Sequence, residues 1–286
     1  MKPILGIDIT EDKKNETFNG SEFITAAASS QSLDIYEERS EALSETIKKS
    51  KLPAVLVFIQ SVCAIYFLFF LMRILDSSEK IKDALLNAPI LTVTAVMALI
   101  VWIALFILGK RKAERVLQGE ETERQIDAIE SNLQRIYEEL EVPADAATVD
   151  ILIFRYRIKD GAICPKELPL QSTPYNNLEV RLYVKGDCLC MADLENVYSF
   201  PLSSLRSIKT VNKRISVPVW NKEEEPTEGR FKPYKMTVNN MEDVFFKPYH
   251  ILEIAHEGES YGLYFPCYEL DGFENVTGLR AEREEN

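Results

Sequence analysis

The sequence predicts an α+β membrane protein: a two-helix transmembrane hairpin, a helical stalk, and a small β-barrel or bent sandwich capped by a C-terminal helix. Three observations predict it. Two long runs carry no charge, an apolar heptad repeat follows them, and from about Val149 apolar and polar residues alternate between turn signals.

The uncharged runs are Leu52–Met72, 21 residues, and Ala84–Gly109, 26 residues. A bilayer core needs about 20 apolar residues of helix. Pro53 and Pro89 fall in first turns, where a missing N–H costs little. Lys48, Lys49 and Lys51 precede the first run; Lys110, Arg111, Lys112 and Arg115 follow the second. Basic residues near helix ends favour the cytoplasmic side, so both termini are expected there and these seven side chains are candidate membrane-surface contacts. Neither span has an ionisable residue in its middle, which suits an anchor better than a transport path.

The expected organisation is an N-terminal strand and loop over 1–31, a cytoplasmic helix over 32–51, and transmembrane helices over 52–75 and 87–109 joined by an external loop over 76–86. A cytoplasmic stalk helix over 110–143 and a β-rich cytoplasmic domain over 148–280 complete it. In the stalk, Ile126, Ile129, Leu133, Ile136 and Leu140 are spaced 3, 4, 3, 4, a coiled-coil seam of about two heptads. Tyr36, Leu43 and Ile47 line one side of the helix before the first span. Running toward and away from the membrane, the two helices are expected to pair antiparallel.

In the β-rich domain, turn signals stand at Asp160–Gly161, Gly186–Asp187, Leu194–Asn196 and Glu257–Gly258, with strand-like runs between them. Leu270, Phe273, Val276 and Leu279 follow helical spacing. The N-terminal "PILGIDIT" is apolar and β-prone, an aggregation hazard if left exposed. Ile4–Ile9 is therefore expected to dock on the domain by adding to a sheet edge.

"LYVKGDCLCMADLENVYSFPLSSLRSI" resembles the middle of pleckstrin-homology-like (PH-like) and GRAM-like domains, with Phe200–Leu205 similar to their short element between strands. Two membrane helices, a linker and such a domain resemble the bacterial YcxB-like membrane proteins, whose ending is similar to "SYGLYFPCYELDGFENV". The chain departs from that pattern in "NKEEEPTEGRFKPYK" and in its first 30 residues. The resemblance implies a PH-like small β-barrel capped by a C-terminal helix and no established chemistry. It makes a non-catalytic binding or scaffold module the expectation, acting on a protein partner or on itself; a lipid-headgroup-sensing or regulatory module is the alternative.

Composition limits other classes. The chain has 286 residues, a formal charge of −12 and a pI near 4.9, so no nucleic-acid partner is expected. Residues 149–286 hold 17 basic and 22 acidic residues, net −5, which draws no anionic headgroup. Arg206, Lys209, Lys213 and Arg214 form the one local basic run there, a candidate anion or partner edge. Cys188 and Cys190 share a strand face and, with Cys164, Cys267 or His250, could form a thiolate site; plain core packing is expected instead. No cofactor, metal or catalytic residue is expected. Five cysteines do not read as a disulfide framework, and no cleavable signal peptide is visible.

Overall fold

The computed structural model describes residues 1–10, 17–18, 20–76, 89–165, 173–218, 220, 222, 224–240 and 242–282. Its helices are α1 (Ser30–Ser50), α2 (Ala54–Asp76), α3 (Pro89–Leu117), α4 (Glu120–Glu139) and α5 (Leu270–Thr277). Strands of the N-terminal segment are β1 (Lys2–Pro3), β2 (Gly6–Asp8), β3 (Thr17–Phe18) and β4 (Ile24–Ala27). After the helices come β5 (Ala147–Lys159), β6 (Ala162–Pro165), β7 (Thr173–Lys185), β8 (Cys188–Ala192), β9 (Asn196–Pro201), β10 (Leu205–Val211) and β11 (Ile215–Val217). The last are β12 (Thr237–Val238), β13 (Val244–Phe246), β14 (Tyr249–His256), β15 (Glu259–Pro266) and β16 (Ala281–Glu282). They form two compact units: Asp34–Gln134, and Met1–Leu33 together with Arg135–Asn286.

In the first of these units, α2 and α3 form an antiparallel hairpin, and both are long and apolar enough to cross a membrane. Leu52 lies so close to Gly109 that a Cβ there would be 3.0 Å from its Cδ1. Further along, Tyr66 OH and Thr94 Oγ1 are 2.7 Å apart. Apolar side chains point outward: Phe58 is 69% exposed, Leu75 79% and Ile90 80%. A helix of a water-soluble core would turn such residues inward. The helix of the second span does not end where its charges begin. It runs on to Leu117, because nothing breaks it before Gln118–Gly119.

The stalk helices lie side by side and antiparallel. Arg39 donates to the Ala128 carbonyl, while Glu139 accepts from Ser29 N–H and the Ser32 hydroxyl. The apolar seam is buried only at its far end: Ile136 and Leu140 are covered, but Ile126 is 42% exposed. Thr122 and Asn132 are buried on α4, so polar side chains take the inward positions nearer the spans.

The β-rich unit consists of two sheets. One has the order β1-β15-β14-β10-β16; the other runs β12-β13-β11-β7-β5-β2-β3, with β7 also carrying β8, β9 and β4 in succession. The turns follow their sequences. Two-residue loops at Asp160–Gly161 and Glu257–Gly258 have positive φ at both positions, the twist-matched hairpin turn.

The expected closed barrel is not formed among the described residues. Residues 2–8 pair with both sheets instead. β1 pairs parallel with β15, and β2 pairs parallel with β5 on the edge opposite β7. The N-terminal segment thus links the two sheets. Ile4 N–H donates to the Gly262 carbonyl at 3.0 Å and Ile9 N–H to the Tyr156 carbonyl at 2.8 Å. Ile4, Leu5 and Ile7 are buried in the main core with Ile151, Leu182, Phe200, Leu252 and Phe265. α5 covers the same core, with Phe273 stacked on Phe265 at 3.8 Å between ring centroids.

β5 and β14 bury both faces. Val149, Ile151 and Ile153 face the main core, while Leu152 and Tyr156 face a second core with Val217, Phe231, Phe246 and Ile251. Phe231 belongs to the acidic stretch 221–235, most of whose described residues are exposed, and anchors it in the second core.

This packing predicts that Ile4→Ala destabilises the β-rich unit by about 2–5 kcal/mol, as for other buried isoleucines. Ile24→Ala, at a 37% exposed position, should cost far less. Hydrogen exchange should find the Ile4 and Ile9 amides protected. Rapid exchange at both would show that the segment is not part of the sheets.

Candidate functional site

The seven basic residues flanking the spans converge. Leu52 against Gly109 aligns the two helix ends, and Lys112 Nζ donates to the Lys51 carbonyl at 2.8 Å. Lys48, Lys49, Lys51, Lys110, Arg111, Lys112 and Arg115 are all exposed at this one end of the hairpin. Glu114 is the acidic residue within these two stretches, 3.8 Å from Lys110. α2 starts here, so the positive end of its dipole adds to the field.

The basic run in the β-rich unit does not form a comparable surface. Lys209 pairs with Glu253, which the lysine and the Ser260 hydroxyl hold below the usual carboxylate range. Arg214 lies over the Phe245 ring at 4.5 Å and donates to Thr237 Oγ1. Arg206 and Lys213 remain exposed. β16 pairs with Ile208–Lys209, so the strand edge that this run was expected to offer is already occupied there.

The sequence gave no hint of a third cluster. Asp150, fully buried on β5, accepts from Lys222 Nζ at 2.8 Å and from the Tyr268 hydroxyl at 2.9 Å. Lys222 also reaches Glu179 at 2.9 Å. Burial works against its charge, but the two carboxylates prevail and raise its pKa. Glu269 is buried beside them. Burial, then the Asp150 charge, push its carboxyl up to about 7. Trp220, Phe231 and Phe246 pack their rings around Tyr268. A lone Asp in "TVDILIF" and aromatics scattered through an acidic stretch were the signals available.

Potentially reactive groups sit in environments that quiet them. Burial lowers His250 to about 4, with Thr210 Oγ1 3.2 Å from its Nδ1. Burial also pushes the Cys267 thiol up to about 12. Cys190 is buried 3.5 Å from Ser199 Oγ, Cys188 is half-buried, and Cys164 is exposed. Among the described residues, no three His, Cys, Asp or Glu groups are placed to hold a metal ion. A groove of about 660 Å³ lies along Met1, Lys2, Tyr156, Tyr249 and Tyr264.

No family model, curated protein or solved structure matches this chain.

The two shifted groups predict an unusual pH response. Glu269 has its folded pKa raised from 4.5, so its contribution to stability is complete below about 4.5 and is lost as pH rises toward 7. His250 has its folded pKa lowered from 6.5, so its contribution is complete above 6.5 and is lost as pH falls toward 4. The two slopes oppose each other between pH 4.5 and 6.5. Glu269→Gln should leave the His250 slope alone, making stability climb with pH in that window. At pH 8 the variant should gain on the order of 2–3 kcal/mol over wild type. Urea unfolding followed by near-UV circular dichroism at pH 5, 6.5 and 8 measures both effects. A Gln variant no more stable at pH 8 would contradict the assignment.

Proposed function

We propose that the chain is a multi-pass cell-membrane protein whose β-rich unit is a non-catalytic, PH-like binding or scaffold module of the YcxB-like kind, in the cytoplasm with both termini. One observation carries this reading. Strands that precede the hairpin, β1, β2 and β4, pair with β15, β5 and β9, which follow it. Both flanks of α2 and α3 must then share a compartment, which two membrane crossings satisfy. The basic residues at the adjoining helix ends favour the cytoplasm for that compartment.

The antiparallel run β7-β8-β9, the short helical turn at Leu202–Ser204, and α5 packed on the core support the PH-like reading. A suppressed imidazole and a suppressed thiol support a binding role over catalysis. The partner is a protein or a second copy of the chain. The paired state of Lys209 and Arg214 argues against headgroup capture by the β-rich unit.

Thiol labelling tests the topology. Ser77 and Ser78, in the expected external loop, lie outside the described residues. A cysteine at Ser77 should react with a membrane-impermeant maleimide in intact cells, whereas exposed Cys164 should react only after permeabilisation. The reverse pattern would sink the orientation.

A further inference from the structure

We propose that the basic end of the hairpin is a binding surface for anionic phospholipid, holding headgroup phosphates while acyl chains lie along α3. This rests on reading α2 and α3 as membrane-spanning. Two stretches about sixty residues apart in sequence supply the site: Lys48, Lys49 and Lys51 from one side, Lys110, Arg111, Lys112 and Arg115 from the other. Leu52 packing on Gly109 brings them together, and the Lys112 ammonium is fixed on the Lys51 carbonyl. Glu114 offsets one charge, at 3.8 Å from Lys110, which leaves a strong excess of exposed cations. Phosphate oxygens accept from several such donors at once. The start of α2 contributes its positive dipole end to the same place.

A lipid fits this surface better than free phosphate does. Apolar surface begins immediately beside the cations: Leu108 is 56% exposed, Phe106 55% and Ile107 43%. An amphiphile with a phosphate above and hydrocarbon below matches both halves. Trp102 lies on α3, stacked on Phe106 and 36% exposed. Eight residues of helix separate it from Lys110, a rise of about 12 Å. That depth falls within one leaflet's acyl region, roughly half of a 30 Å hydrocarbon core.

Trp102 therefore reports on which lipid occupies the site. The full-length protein is reconstituted in phosphatidylcholine vesicles containing a low mole fraction of dibrominated phosphatidylglycerol or of dibrominated phosphatidylcholine. A Trp102→Phe protein gives the background from Trp220. Brominated phosphatidylglycerol should be enriched around Trp102 by on the order of fivefold, the effect of about one well-placed base. The preference should collapse in 1 M salt, where screening acts within about 3 Å. It should also collapse in Lys51→Gln/Arg111→Gln/Lys112→Gln, while quenching by brominated phosphatidylcholine persists and shows the hairpin still inserted. Arg206→Gln/Lys213→Gln should leave it unchanged. Equal quenching by the two lipids would overturn the lipid site and leave the anchor standing. No quenching by either would remove the anchor and the site with it. Preference that survives in the triple variant but disappears in the Arg206/Lys213 control would also overturn the proposal.

Discussion

Residues 2–9 tie the two sheets of the β-rich unit together. Among the described residues they are the segment that pairs with both: β1 lies on β15 and β2 on β5. Their partners lie roughly 150 and 260 residues away, so the entropy of closing these loops is substantial, although it grows only logarithmically with length. Burial of Ile4, Leu5 and Ile7 opposes that cost, each worth about 1.5–3 kcal/mol as an upper range. The pairing has a topological consequence. A chain that leaves the unit at α1 and returns at α4 can cross a bilayer in between only an even number of times.

A second constraint is electrostatic. Asp150 is fully buried on a strand with both faces covered, and Lys222 is the cation that reaches it. A buried pair of this kind contributes little compared with an apolar pair, yet removing one partner is expensive because the other charge stays buried. It therefore acts as a registration device. Lys222 fixes one end of the 220–235 stretch on β5 and β7, and Phe231 fixes the middle in the second core. The unusual feature is Glu269, a second carboxyl whose burial, and then the Asp150 charge, push its pKa up to about 7. One lysine serves a site that holds three carboxyl groups.

Local features were legible in the sequence and distant pairings were not. The spans were readable because twenty uncharged residues leave few alternatives. The hairpin turns were readable because Asp160–Gly161 and Glu257–Gly258 need positive φ. Docking of Ile4–Ile9 could be argued from its composition, but its parallel partners could not, since nothing in a strand's own residues identifies an edge 150 positions away. Packing by the acidic stretch was hidden for a different reason: glutamates dominate the composition of 221–235, while Phe231 and Tyr234, with Trp220 just before them, carry the packing. In the stalk, the heptad count assumed that apolar residues face inward throughout. Thr122 and Asn132 are buried instead, and Ile126 faces out. Of the candidate residues, the seven at the helix ends come together because a helical hairpin brings its two ends side by side. The run from Arg206 to Arg214 is contiguous in sequence, yet strand geometry and two local partners disperse it.

The net charge of −12 hides this segregation. Of 33 basic and 45 acidic residues, stretches 48–51 and 110–115 account for seven basic and one acidic, which leaves 26 against 44 elsewhere. The remainder of the chain is thus more acidic than the total suggests. An anionic surface attracts a basic cluster of this kind and repels acidic stretches, each within a screening length of about 8 Å.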